Sequence, residues 1–404
     1  MIILYGKYNA LSLGVRILIW MCIGVVVGIV FGQQALTLKP IGDLFIKLLL
    51  MAAIPLVFFN LLSGISSLQD VLILGRFGIK TIIYYLITTA MSLTVGLLMA
   101  NYFEPGKGMT LKGGVDDSFG SVPKVLDIIL GLFPSNVFEA FSSGNVAQIV
   151  VFAIFLGVAT LLMPMGQKEK LQGFFTLVAD LFRQLVQIVL LLGPIGVGAL
   201  AASTVGEFGP KIFGPVAVFI FVVWAAQGVM VIFYLIILKL LTGRNPIIWL
   251  KTTASLYATT AATCSSLASL VVAMDVARNR LKIPEKIYTF TLPLGAQLNK
   301  DGTSIMLAGV LLFTAQAAGV EFDLASMISI LLVGLLLSEG AGGIPGGGLV
   351  IAFIFVEAFN LPLEIAAIVA GIYRLIDMGS TTINVMGDLV WTTILSDLED
   401  RKTN

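Results

Sequence analysis

The chain has 404 residues, 58% hydrophobic and 12% charged, with a net charge of +1 from 24 basic and 23 acidic residues. A soluble domain carries about a quarter charged residues, and the mean hydropathy here is +1.02, so the chain reads as an integral membrane protein. That composition excludes a cytosolic enzyme, a nucleic-acid binder and a secreted domain, and the near-zero net charge implies no acidic partner. No histidine occurs, which removes the usual zinc ligand and proton relay. Cys22 and Cys264 lie in apolar sequence, so neither a disulfide framework nor a metal cluster is expected.

Taken in chain order, apolar segments near 11–31, 42–66, 78–101, 146–164, 172–202, 211–241, 284–317 and 361–396 are each long enough to cross a bilayer or nearly so. The first is too long for a signal h-region and lacks a small-residue cleavage pattern, so it is expected to be a retained helix. Segments 249–275 and 325–358 are interrupted by polar or Gly-rich sequence and read as re-entrant, the first from the cytoplasm and the second from outside. With the N-terminus inside, fifteen Lys/Arg fall in inner loops and five in outer ones (Lys39, Lys107, Lys112, Lys124, Lys211). That asymmetry obeys the positive-inside rule. Lys47, Arg183, Lys300 and Arg374 lie within spans. A pair of oppositely oriented interrupted segments points to an inverted-repeat transporter. The loop 102–126 is expected to be an outer connection between the two halves.

Polar residues inside these segments carry the functional signal. In the last segment Arg374, Asp377, Thr381, Asn384 and Asp388 are spaced 3, 4, 3 and 4, which is one helix face. Ionisable groups at membrane depth are costly and turn toward the protein interior. An internal ladder with Arg374 on Asp377 is one reading. A solute or ion site is the other, and it accounts better for two carboxylates and an amide that one Arg cannot satisfy. Asn299-Lys300-Asp301-Gly302-Thr303 follows Pro293 in an otherwise apolar helix, which is expected to unwind there and offer carbonyls to a hard cation. The re-entrant tips, 263–269 with Ser265 and Ser266 and 340–348 with Gly346 and Gly348, allow close backbone approach to a ligand. Tyr84, Tyr85, Thr88 and Thr89 in the third segment read, taken singly, as helix–helix hydrogen bonds.

These motifs resemble the dicarboxylate/amino acid:cation symporter family over essentially the whole chain. Residues 288–303 are similar to its seventh-helix signature, where the family has Asn-Met-Asp-Gly-Thr. Gly343-Ile344-Pro345-Gly346-Gly347-Gly348 is similar to its second hairpin tip, and Asp377-Met378-Gly379 through Asn384 to Gly387-Asp388 to its eighth helix. The resemblance implies an all-α membrane protein of eight transmembrane helices plus two re-entrant helical hairpins in inverted repeats, working as a homotrimer of elevator transporters. Residues 1–77 (helices 1–2) and 102–206 (outer loop, helices 4–5) would form the scaffold. Residues 78–101 (helix 3) and 207–404 (helix 6, hairpin 1, helix 7, hairpin 2, helix 8) would form the transport domain.

The resemblance also implies roles. Asp377 would hold a substrate ammonium and Asn384 its α-carboxylate, helped by backbone at Ser265, Ser266 and Gly346. Thr303, Gly348, Ser380 and Thr381 would complete the pocket. Carbonyls of Gly295, Asn299 and Asn384 with Asp388 match a first sodium site, and Asp301, Asn299, Thr88, Thr89 and the Tyr85 carbonyl a deep one. Three departures stand out. Ser380 occupies the position of the arginine that binds acidic side chains, Lys300 replaces the motif methionine near the family's second sodium site, and Glu339 precedes the hairpin glycines. Lys300 and Glu339 are therefore read as a tethered replacement for a cation. Arg374 is either a relocated substrate arginine or a structural partner of Asp377 or of a hairpin carbonyl.

The expected function is secondary transport of small neutral amino acids across the cell membrane with reduced or altered sodium coupling. Na+ is the expected coupling ion, its number open, with H+ as the other candidate. The amino acid and the lipid bilayer are the expected partners, and no nucleic acid is. The alternatives are a carrier of aspartate, glutamate or dicarboxylates using Arg374, and a channel-like or sensory membrane protein. An intramembrane enzyme has no nucleophile–base pair or cofactor motif in its favour.

Overall fold

The computed structural model describes residues 13–66, 76–109, 130–341 and 346–403. Residues 11–12 of the first segment, most of the loop 102–126, residues 342–345 of the second tip, and Lys7, Lys112 and Lys124 of the orientation count lie outside the described residues. Every regular element described is helical. Helices α1 (Leu13–Phe31) and α2 (Lys39–Ser66) are joined by the 3-10 turn Gly32–Leu38, and α3 (Arg76–Phe103) follows. Next come α4 (Val137–Ser142), α5 (Val146–Leu161), α6 (Met165–Leu191), α7 (Gly193–Phe208) and α8 (Phe213–Thr242). By length and composition, Val15–Ser66, Gly78–Phe103, Met165–Leu191 and Phe213–Thr242 can cross a membrane. Segment 172–202, whose apolar run reads as one span, is instead two helices, because Pro194 at the start of α7 has no N–H to donate back into α6.

Both interrupted segments fold as helical hairpins. The first is α9 (Pro246–Thr263) and α10 (Ser266–Asp275), separated at Cys264, which sits at φ 49° in the left-handed region. The second is α13 (Leu324–Ser338) and α14 (Gly347–Ala358). At its exposed start Asp323 accepts bonds from the Ser326 N–H (2.8 Å) and hydroxyl (2.5 Å), which hold its carboxyl below the usual range. Between the hairpins the seventh segment breaks into α11 (Glu285–Leu298) and α12 (Asp301–Ala317), and α15 (Leu363–Thr403) closes the chain.

Packing follows residue size. On α1 and α7 glycines face backbone: a Cβ at Gly28 would lie 2.7 Å from the Ala202 carbonyl and 2.8 Å from the Val205 side chain. In lipid, where hydrophobic transfer cannot drive helix association, such close approach supplies the contact. Almost all of α12 is buried, against α3, α8, α14 and α15. This buried helix is the axis on which the polar residues gather. Its fit to α3 depends on Gly96, whose Cβ would come within 2.9 Å of the Ala308 side chain and 3.0 Å of the Ile305 backbone. Gly96→Val is therefore expected to destabilise the purified protein by about 1–3 kcal/mol, read as a lower melting temperature in detergent. An unchanged melting temperature would mean the two helices are not in that contact.

Candidate functional site

The expected unwinding is present. Asn299 (φ −79°, ψ 116°) and Lys300 (φ −130°, ψ 35°) leave helical geometry between α11 and α12. A helix end frees carbonyls on one side and N–H groups on the other. The Lys300 ammonium donates to the carbonyls of Ala296 (2.9 Å) and Asn299 (3.2 Å), a cation on the negative end of α11. Asp301 lies in the first turn of α12, at its positive end. There the Asn384 Oδ1 accepts from the N–H groups of Gly302 (2.7 Å) and Thr303 (3.4 Å), and its Nδ2 donates to Thr303 Oγ1 (3.1 Å). Asn299 Nδ2 donates to the Asn384 carbonyl (3.0 Å) and to Asp388 Oδ1 (2.9 Å). Gly295 lies directly against the Asp388 carboxylate and the Tyr85 hydroxyl, with no room for a Cβ.

Asp301 accepts from Thr89 Oγ1 (2.9 Å) on one oxygen and from the Tyr234 hydroxyl on the other. Thr88 Oγ1 donates to the Tyr85 carbonyl (3.2 Å), and the Tyr85 hydroxyl to that of Thr291 (3.0 Å). Tyr85, Thr88, Thr89, Asn299 and Asp301 are thus brought together. Asn299 Oδ1 is buried with no partner. An orphaned acceptor among carboxylates, hydroxyls and backbone carbonyls is the all-oxygen donor set that a hard cation takes, so the residues fit the sodium ions that the resemblance implies. Among the described residues no group of three or more His, Cys, Asp and Glu could hold a metal ion.

The α15 stripe runs beside both hairpin tips. Asp377 is buried with Thr381 Oγ1 at 3.4 Å, and the Tyr373 hydroxyl and Gly346 backbone lie alongside. Gly346 takes φ +83°, and a Cβ on Gly348 would come within 2.8 Å of the Tyr373 hydroxyl and 3.2 Å of the Thr303 methyl. In the first tip Ser265 caps α10, its Oγ accepting from Ala268 N–H (3.2 Å), and Ser266 is buried beside it. The Thr260 and Thr382 hydroxyls, 2.8 Å apart, tie that hairpin to α15.

Several expected contacts differ. Among the described residues no ion pair within 4 Å joins Arg374 to Asp377 or Lys300 to Glu339. Arg374 instead donates to the Ala262 carbonyl (2.6 Å) at the end of α9, the hairpin-carbonyl alternative. Glu339 Oε2 is buried and unpartnered. Tyr84 makes no hydrogen bond across helices. Its ring stacks on Trp391 with centroids 4.5 Å apart. Two residues of the site carry no mark in the sequence motifs: Tyr234, which serves Asp301, and Gln227, whose Nε2 donates to Ser380 Oγ (3.2 Å). Both belong to the buried series Gln227, Met230, Tyr234 and Leu238 of α8, at helical spacing. That two polar residues of an apolar span share one face was the available signal.

Residues 13–398 match the model of the sodium:dicarboxylate symporter family. The chain is similar to a proton/glutamate-aspartate symporter of Bacillus subtilis (31% identical, covering 95% of this chain and 94% of the relative). A proton/sodium-glutamate symport protein of Geobacillus stearothermophilus is 31% identical over 96% of this chain and 95% of its own. A C4-dicarboxylate transport protein of Bacillus subtilis is 30% identical over 96% and 94%. With a match across nearly the full length and a polar centre built on the broken helix between α11 and α12, this multi-pass membrane protein belongs to the sodium:dicarboxylate symporter family.

Proposed function

We propose that the chain is a cation-coupled secondary transporter of small neutral amino acids, acting as a homotrimer by an elevator motion in the cell membrane with its N-terminus cytoplasmic. The observation that carries the substrate reading is the pairing of Asp377 with Ser380. Asp377 is a buried carboxylate beside the hairpin tips, reached by the Thr381 and Tyr373 hydroxyls and the Gly346 backbone, and among the described residues no ion pair within 4 Å engages it. A buried carboxylate with no cation at ion-pair distance suits the ammonium of an amino acid. One turn on, Ser380 supplies no positive charge for a side-chain carboxylate, and the Arg374 guanidinium is engaged by the Ala262 carbonyl. The backbone around Ser266 and Gly346 would receive the α-carboxylate together with Asn384.

A second reading, transport of acidic amino acids or dicarboxylates, is favoured by the names of the relatives and would require Arg374 to leave Ala262. Competition among serine, alanine, aspartate and succinate for uptake into proteoliposomes, with sodium or proton gradients, separates the two. Serine or alanine is expected to compete best. A preference for aspartate of more than a decade would overturn the neutral reading. Asp377→Asn is expected to weaken binding of the preferred amino acid by about 1.5–3 kcal/mol, one to two decades, and unchanged affinity would sink that assignment.

Coupling turns on Lys300. Its ammonium is buried on two carbonyls beside the proposed sodium positions, within the electrostatic reach of Glu339 on the second hairpin. Lys300 and Arg374 face Asp301, Glu339, Asp377 and Asp388, so a bound zwitterion still calls for about two added cations or protons. A fixed ammonium stands in for one more. Sodium dependence is therefore expected to be shallow, with at most about two coupled cations per cycle, and Lys300→Met to make substrate affinity depend more steeply on sodium. Equal steepness in both proteins, measured as substrate affinity across sodium concentrations, would show that Lys300 is no substitute for an ion.

A further inference from the structure

The second hairpin packs against α2 and α6 as well as against the polar centre. A Cβ on Gly340 would come within 2.7 Å of the Val57 side chain of α2, and one on Gly346 within 3.0 Å of Leu190 of α6. The hairpin end therefore lies over the seam between those two helices. Asn60 and Leu61 follow Val57 at 3 and 4, and Arg183 precedes Leu190 by 7, so all three continue the faces that the hairpin touches. Bonds from Asn60 to Arg183 and from Ser63 to Thr176 show α2 and α6 running antiparallel, which places Asn60 and Arg183 together on the Ser66 side of the hairpin contacts. There the guanidinium donates to Asn60 Oδ1 (2.6 Å) and to Asp180 Oδ1 (2.5 Å). Since Arg offers only donors, the orientation of the Asn60 amide is fixed. Asn60 Nδ2 and Arg183 Nε are both buried without a partner, and so is Glu339 Oε2, on the residue next to Gly340. Two donors on α2 and α6 and one acceptor on the hairpin are thus unsatisfied at one interface, where buried polar atoms are nearly always bonded.

Resting on the elevator reading, in which the hairpin moves and α2 and α6 do not, we propose that Asn60 and Arg183 form a receiving site for the Glu339 carboxylate. The site fills when the hairpin advances one helical turn along α2, about 5.4 Å. That advance brings Gly340 level with Leu61 and Glu339 level with the two free donors. A carboxylate accepts from a guanidinium Nε–H and an amide N–H together, and charge-assisted bonds of this kind are stronger than neutral ones. Lys300 travels with Glu339 in that reading and lies within its electrostatic reach. The filled site then gathers two basic groups, Arg183 and Lys300, and two acidic ones, Asp180 and Glu339, so the group as a whole carries no net charge, as membrane depth favours. Nearness to Lys300 accounts for the charge of Glu339 but not for a buried oxygen with no donor. A link serving only to join α2 to α6 would need the Arg183–Asn60 bond and leave no use for the free Nε and Nδ2. The filled site is a stop on the path of the hairpin, one turn from its present seat.

Crosslinking between introduced cysteines tests this in full-length protein with Cys22 and Cys264 replaced by serine. The pair Val57→Cys and Gly340→Cys reports the present seat, since a Cβ on Gly340 would lie 3.4 Å from that of Val57, within reach of a disulfide. The pair Leu61→Cys and Gly340→Cys reports the advanced position and leaves Glu339, Asn60 and Arg183 in place. Both bridges are expected to form in membranes under mild oxidation. Glu339→Gln and Arg183→Gln should each lower the yield of the advanced bridge relative to the seated one by about tenfold, the worth of a hydrogen bond to a charged group. Combined they should lower it no further, because they remove one interaction. Asn60→Asp keeps an acceptor for Arg183 and puts an oxygen where the free donor stood. It should lower the yield as well, and it supplies the result if Arg183→Gln does not fold. An advanced bridge whose relative yield ignores these variants, or losses that add, overturns the receiving site and leaves the elevator reading standing. A seated bridge that forms while the advanced one never does overturns that reading and the site with it.

Discussion

A helix broken inside hydrocarbon must find partners for both of its new ends, since lipid supplies none. The ends of α11 and α12 find theirs in the break itself. Lys300 turns back onto the carbonyls of the helix it leaves, and Asp301 enters the helix beyond it, each charge set against the opposing backbone dipole. The remaining N–H groups fall to Asn384 and the remaining space to Asn299. Removing any one of these would leave a buried polar group without a partner, a cost of about 1–3 kcal/mol. The arrangement of α15 against α12 is dictated by that requirement before any solute is considered.

What surrounds the break then acquires its position from it. α15 must bring Asn384 and Asp388 to the gap, which sets its rotation and carries Asp377 to the level of the hairpin tips. α3 must bring Thr89 to Asp301, which places Gly96 where only a glycine fits against α12. The first hairpin is held to α15 by Thr260 and by the guanidinium of Arg374. A few fixed bonds thus locate a dozen polar groups in a volume otherwise filled by aliphatic and aromatic side chains.

Much of this could be read from the amino acids. The break was legible because Pro293 and the run 299–303 violate helical and apolar patterning together. The stripe on α15 was legible because charged residues at 3 and 4 spacing in an apolar helix admit few explanations. Tyr234 and Gln227 were not, since a single polar residue in an apolar span ordinarily serves packing and its partner lies elsewhere in the chain. The partner of Arg374 stays open in the sequence, because a backbone carbonyl has no signature there. The pairing of Tyr84 departs from expectation for a related reason: its ring found Trp391, and stacking satisfied the face of the residue while leaving its hydroxyl alone.

Lys39 of α2 and Glu364 of α15 approach to 3.6 Å, both substantially exposed. If α15 travels past α2 during transport, this pair exists at one end of the stroke and not at the other. An exposed pair contributes no more than about 1 kcal/mol, yet end states that differ by so little are divided by terms of that size. Because dissolved ions weaken such an attraction over about 8–10 Å, the balance between two such ends would then shift with the salinity of the water bathing the pair.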